Sequence, residues 1–164
     1  MEIRVERSDD AGTIAALVAA AFADAPHADG TEAAIVDRLR RDGALTMSLV
    51  ATIGDAIVGY VAFSPVTVER AAGGWFGLGP VAVEPAHRRR GIGAALIEAG
   101  LARLRADGAH GCVVLGDPDY YGRFGFEHDP SLRYPDAPAP FFQRIVFEGP
   151  APHGAVAYHP AFLS

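Results

Sequence analysis

The sequence predicts a mixed α/β or α+β fold, and three observations carry that prediction. Short apolar runs of strand length alternate with longer stretches whose apolar residues recur at helical spacing. Two strand-like runs flank a Gly54-Asp55 turn. Between residues 78 and 106 the chain passes from a strand-like run through a glycine turn into an alanine-rich helical stretch.

In chain order, residues 2–6 alternate charged and apolar side chains, as a strand with one wet face does. Ser8 is the expected N-cap of a helix carrying Ile14, Leu17, Val18 and Phe22 on one stripe. Pro26 to Gly30 is a loop, and Thr31 opens a second helix with Ile35, Val36 and Leu39 inward and Gly43 at its end. Leu49–Ile53 and Ile57–Phe63 form a hairpin, and Trp75–Val83 supplies the next strand, with Gly77 at an expected bulge. A helix from Ala94 to Ala106 turns Leu96, Ile97, Leu101 and Leu104 to one side and closes at Asp107-Gly108. Gly111–Leu115 is a short apolar strand suited to the middle of a sheet. Asp117-Pro118 then opens a brief helix ending near Gly125. A proline-rich loop runs from Asp129 to Pro140, and Phe141–Phe147 and Gly154–Tyr158 are the last two strands. A single domain over residues 1–164 is expected.

Composition narrows the chemistry. The 164 residues include 14 basic ones, all arginine, and neither lysine nor asparagine. A Schiff-base lysine and a lysine-dependent P-loop are thereby excluded. A net charge of −6 argues against general nucleic-acid binding. No apolar run reaches membrane-spanning length, and the charged first residues give no sign of a secretory leader, so a cytoplasmic protein is expected. The single Cys112 lies in an apolar run and is expected to be a small buried hydrophobe. The histidines show no metal-ligand spacing, so no metal is expected.

Arg88-Arg89-Arg90-Gly91-Ile92-Gly93-Ala94 joins a strand to a helix. Glycines at such a junction let the backbone turn tightly and approach a ligand. Unpaired N–H groups of the first helical turn, reinforced by the helix dipole, make a seat for phosphate or pyrophosphate. The arginines add permanent charge and forked donors. A phosphorylated cofactor is the expected occupant. A GxGxxG dinucleotide fingerprint is excluded because its third glycine falls on Leu96.

Arg88-x-x-Gly91-x-Gly93, after Val81-Ala82-Val83-Glu84-Pro85, resembles the acetyl-coenzyme A motif of the GNAT superfamily of N-acyltransferases. Tyr121-Gly122-Arg123-Phe124-Gly125-Phe126 is similar to that family's tyrosine–Gly-Phe signature, and the order of elements matches over nearly the whole chain. The string from Val114 to Phe126 and the ending Ala157–Phe162 are most similar to the YhbS-like bacterial branch. The resemblance implies a mostly antiparallel central sheet of about seven strands with about four helices on both faces. It implies acetyl-CoA as acyl donor and an amine acceptor. Composition and charge argue against a membrane or nucleic-acid partner, and exposed C-terminal strands leave a monomer or a homodimer open. By the same resemblance the pyrophosphate sits on Arg89, Arg90, Gly91, Ile92, Gly93 and Ala94 beside Arg88. The pantetheine arm runs along Val81, Ala82 and Val83, and Asp117, Tyr120, Tyr121 and Phe124 close the cofactor side. One departure stands out: many relatives carry an asparagine early in the short helix, where this chain has Gly116-Asp117-Pro118.

Tyr121 is the candidate acid for the leaving thiolate, since a phenol of pKa about 10 stays protonated at neutral pH; the competing reading packs it beside Phe124 and Phe126. Glu84, Glu69 and His87 are the candidate bases, with a water as the fourth possibility, and none is assigned. Asp24, Asp29, Glu69 and Asp136 would suit a cationic amine. A non-catalytic coenzyme A sensor is the runner-up to an enzyme.

Overall fold

In the computed structural model, residues 1–24, 30–135 and 137–163 are described. Most of the loop expected at Pro26–Gly30, with His27 and Asp29, and the acidic position Asp136 lie outside the described residues. The elements run β1 (Glu2–Val5), α1 (Ala11–Phe22), α2 (Glu32–Arg41), β2 (Met47–Ile53), β3 (Ala56–Pro65), β4 (Thr67–Val68) and β5 (Trp75–Val83). They continue with α3 (Ile92–Ala106), β6 (Gly111–Leu115), α4 (Pro118–Tyr121), β7 (Glu127–His128), β8 (Leu132–Arg133), β9 (Phe142–Val146) and β10 (Gly154–Ala157).

The two-residue turn at Gly54, with φ +61°, and Asp55 folds β2 onto β3, and β1 and β5 flank that hairpin. The full sheet has seven strands in the order β1-β2-β3-β5-β6-β9-β7, and every neighbouring pair is antiparallel except β5 with β6. The parallel pair is joined by α3, since parallel neighbours need a crossover. Ile14, Leu17 and Val18 of α1 and Val36 of α2 pack on Val50, Tyr60, Ala62 and Ala82. On the opposite face Leu96, Ile97, Leu101 and Leu104 of α3 meet Leu49, Val61, Phe63 and Cys112. The expected mixed sheet, with helices on both faces, is what forms.

Its membership differs from the sequence reading. β10 does not join the large sheet; it pairs with β4 and β8 in a second, three-stranded sheet. β7 takes the seventh place instead. The stretch from Asp129 to Pro140 is therefore not all loop, because Leu132 and Arg133 pair with Gly154 and Ala155. With neighbours on both sides β10 offers no free edge. Residues 15 to 90 positions apart set these pairings, from His128 with Gln143 to Ala157 with Thr67, and local periodicity carries no trace of them.

The cap of α1 also differs. Ser8 lies in a 3-10 turn, and the regular helix starts at Ala11. Asp10 carries the junction instead: its carboxylate accepts from Arg4 Nη1 at 2.8 Å and from the Arg7 N–H at 2.7 Å. The Arg4 hydrogen bond, then that of Arg7, holds the Asp10 carboxyl below the ordinary aspartate range. A second arginine pair lies at the foot of the sheet. Arg40 grips Glu6 through Nε at 2.9 Å and Nη2 at 3.0 Å. Glu6 accepts from the Ser48 hydroxyl, which lies 2.7 Å from the buried Tyr60 hydroxyl. Burial pushes the Tyr60 phenol well above its ordinary pKa.

α3 lies unusually close to the sheet. A Cβ on Gly100 would stand 2.2 Å from Phe63 Cε2, and Phe63 is fully buried. Gly100→Ala is expected to cost about 1–3 kcal/mol by overpacking. That is a fall of about 2–9 °C in melting temperature, checked by thermal unfolding.

Candidate active site

Parallel β5 and β6 pair over three residues only, Trp75, Phe76 and Gly77 with Gly111, Cys112 and Val113. Beyond that, β5 stays with β3 while β6 stays with β9 as far as Leu115–Phe142. The sheet parts between them. A bulge helps to swing β5 away: Val61 and Phe63 stand opposite Val81 and Leu78, so β5 spends an extra residue at Gly79-Pro80. The expected bulge at Gly77 is thus displaced by two residues. Gly77 serves a different purpose, since a Cβ there would meet the Tyr158 ring at 2.5 Å.

At the open end of the parting lies the arginine–glycine turn. Arg89 has φ +66° and Gly91 has φ +77°, and two left-handed residues so close curl the backbone ahead of α3. α3 begins at Ile92, two residues before the expected start, and its first-turn N–H groups have no acceptor within the helix. Val81 and Val83 share the α3 side of β5, whereas Ala82 faces α1 and α2. A Cβ on Gly93 would lie 3.6 Å from Val83 Cγ2, 3.7 Å from Tyr120 Oη and 3.9 Å from Val81 Cγ1. Strand, helix and α4 therefore converge at Gly93 within ordinary contact distance. The three arginines do not act alike. Arg88 Nη2 donates to the Ala21 carbonyl at the end of α1, at 2.7 Å, while Arg89 and Arg90 extend at the surface.

α4 begins as the sequence predicts. Asp117 Oδ1 accepts from the Asp119 N–H at 2.9 Å, and Pro118 occupies the first turn. The helix presents Tyr120 and Tyr121 edge to face, with ring centroids 5.1 Å apart. Tyr120 reaches toward Gly93, with the Arg123 guanidinium 4.5 Å above its ring and Phe124 at 5.5 Å. Tyr121 sits deeper, edge-on to Phe126 at 6.0 Å. Burial, with a smaller contribution from Tyr120, pushes the Tyr121 phenol up to about 12.

The candidate bases are engaged elsewhere. Glu84 hydrogen-bonds His87, and that bond holds the Glu84 carboxyl below the ordinary range. Glu69, just past β4, accepts from the Ala155 N–H of β10 at 2.6 Å and lies 3.6 Å from Arg133 of β8, linking the three strands of the second sheet. Cys112 is fully buried, and burial pushes its thiol well above the ordinary value. Among the described residues no group of three or more His, Cys, Asp or Glu side chains is placed to hold a metal. No helix among them is long and apolar enough to cross a membrane.

Sequence reasoning gave no role to the Gly79-Pro80 bulge, to Gly116, to Gln143 or to Tyr158. Gln143 is 1 % exposed and donates to the Gly116 carbonyl at 3.1 Å. An amide in the otherwise apolar start of the strand Phe141–Phe147 was the available signal. The Ser64 and Tyr158 hydroxyl oxygens are buried with no hydrogen-bond partner among the described residues.

The mixed sheet parted between β5 and β6, with the glycine turn leading into α3, is the fold of an N-acetyltransferase. The chain belongs to the GNAT family of acetyltransferases: the model of the Acetyltransferase (GNAT) family matches residues 13–126. It is 42% identical over 146 residues, 86% of this chain and 84% of the relative, to the uncharacterized N-acetyltransferase YhbS of Escherichia coli K12. A GNAT family acetyltransferase from Brucella melitensis, solved in complex with acetyl-CoA, is 46% identical with a TM-score of 0.87, covering 98% of this chain and 97% of that one. The crystal structure of Escherichia coli YhbS in complex with CoA is 38% identical with a TM-score of 0.88, covering 99% and 92%.

The turn makes a direct prediction. Gly91→Ala places a Cβ in the left-handed region and is expected to lower stability by about 1 kcal/mol, a few degrees in melting temperature measured by calorimetry.

Proposed function

We propose that the protein, acting as one domain over residues 1–164, transfers an acetyl group from acetyl-CoA to a primary amine of a small molecule or a protein. The observation that carries this reading is the parting of β5 from β6 directly below a glycine turn curled by two left-handed residues. The coenzyme supplies an activated acetyl thioester. The first-turn N–H groups of Ile92, Gly93 and Ala94, with Arg89, Arg90 and Gly91 in the turn ahead, would hold its pyrophosphate. Arg88 would brace this turn against α1. Backbone groups of β5 near Val81, Ala82 and Val83 lack β6 as a partner and would take the pantetheine arm as a substitute strand. A β5 N–H at the parting would stabilise negative charge on the acyl oxygen. Asp117 would set the start of α4, and Tyr120 and Phe124 would flank the cofactor beside Gly93.

Tyr121 would stabilise the departing sulfur. Its pKa near 12 lies well above the thiol value of about 8.5, so the proton is shared in a hydrogen bond and not surrendered outright. With Glu84 held by His87 and Glu69 by the Ala155 N–H, the amine would lose its proton to water. Asp24 remains on the acidic side of this reading, with Asp29 and Asp136 outside the described residues.

Three expected outcomes test the reading. Acetyl-CoA at about a hundred times its dissociation constant should stabilise the fold by about 2.7 kcal/mol in a thermal shift; no shift at millimolar ligand overturns it. Tyr121→Phe should cut thiol release about a hundredfold while leaving that shift intact, whereas Tyr120→Phe should weaken the shift more than the turnover. Thiol release should rise with pH as the amine deprotonates, with no descending limb from Tyr121 below about pH 11, because the raised phenol keeps its proton there. A stable shift with no amine turned over would instead identify a coenzyme A sensor.

A further inference from the structure

The geometry points to Gln143 and Gly116 as positioning residues: they hold the loop after β6 away from β5 and seat the ring of Tyr121. This inference rests on the reading of Tyr121 as hydrogen-bond donor to the departing sulfur.

Gln143 lies on β9 with its amide almost sealed from solvent, at 1 % exposure. A buried amide is costly unless it is paired. Its Nε2 donates to the Gly116 carbonyl at 3.1 Å and, at the limit of 3.5 Å, to that of Phe141. The Gly116 N–H in turn donates to the Phe141 carbonyl at 3.0 Å. Both backbone groups of Gly116 are thus held from the β9 side, one residue past the last ladder pair, Leu115 with Phe142. The end of β6 follows β9 for that reason, while its bonds to β5 stop at Val113. A residue outside the parting therefore helps to keep it open.

The same glycine sets the tyrosine. A Cβ on Gly116 would lie 2.4 Å from Tyr121 Cε2 and 2.9 Å from Cδ2, so the ring rests directly on the glycine backbone. Tyr120 and Phe126 meet the ring edge-on at 5.1 and 6.0 Å. With those neighbours in place, any shift of the Gly116 peptide passes to the phenol. The chain of contact runs from the Gln143 amide to the Gly116 peptide to the Tyr121 ring.

Gln143→Met removes the donor, keeps the side-chain length and leaves nothing polar unpaired on the side chain. Gly116→Ala displaces the ring and leaves the Gln143 bond in place, so it serves if the methionine variant folds poorly. Both are compared in the full chain with and without Tyr121→Phe. The kinetic readout is thiol release from acetyl-CoA with phenethylamine, spermidine and an alanyl peptide as acceptors. Each single variant should lose about tenfold in kcat; the acetyl-CoA thermal shift should stay unchanged in Gly116→Ala, which keeps the Gln143 bond, and shrink in Gln143→Met, which also loosens the parting. Neither should lose more in the Tyr121→Phe background, because residues acting through one group are not additive. Independent of any acceptor, the Tyr121 ring resonance, assigned by its absence in Tyr121→Phe, should move in both variants. Gln143→Glu should add a descending limb to the pH profile as the buried carboxyl ionises against two carbonyls, a limb absent from the natural chain. Losses that add fully to that of Tyr121→Phe, or an unmoved ring resonance, overturn the inference. A Tyr121→Phe variant with unchanged turnover overturns the reading beneath it instead.

Discussion

The architecture turns on one failure of pairing. A strand inside a sheet satisfies its N–H and C=O groups on both sides, and exposing them to no partner is expensive. β5 meets β6 through three residue pairs and then loses it. What makes this tolerable is that each strand keeps its other neighbour: β5 stays on β3, and β6 stays on β9. The sheet behaves as two blades, β1-β2-β3-β5 and β6-β9-β7, hinged at Gly77 and Val113. α3 crosses from one blade to the other with its leucines buried on both, so the opening is braced by packing on the face where the glycine turn lies. The unpaired edge is then a resource, because a ligand with amide groups can complete it.

Small residues shape the ground around that opening for steric reasons. Gly100 lets α3 settle on Phe63, Gly77 admits the Tyr158 ring and Gly116 admits Tyr121. None of these three is in the left-handed region. Their value lies in the missing Cβ, whereas Gly91 is needed for its backbone angle. Close approach and turning are thus separate uses of glycine, and the split and the turn above it draw on both.

Much of the framework could be read directly from the chain. The hairpin around Gly54-Asp55, the strand Trp75–Val83, the stripe of Leu96, Ile97, Leu101 and Leu104, and the Asp117 cap all depend on neighbours within a few residues, and local pattern recovers them. Ser8 failed as a cap because Asp10 could recruit Arg4 from β1 as well as the nearby Arg7 N–H. Strands β7 and β8, two residues each, exist only because distant partners pair with them, so no periodicity announces them. Of the site, the turn at Arg88–Ala94 and the tyrosine pair were visible as motifs. Gln143 was not, because its importance comes from a carbonyl 27 positions away that only the folded sheet brings near.

The arginine-only charge of the chain takes on a new meaning beside a reactive thioester. The ion pairs that close the fold, Arg4 with Asp10, Arg40 with Glu6 and Arg144 with Asp129, are all built on guanidinium groups. A guanidinium stays protonated at any working pH and is no acyl acceptor, whereas a lysine amine in its neutral form is one. With no lysine in the sequence, the protein has no side-chain amine to compete with its substrate. Its electrostatic scaffold is chemically inert toward the acyl donor it would handle, and self-acylation of its lysines is a fate this enzyme does not have.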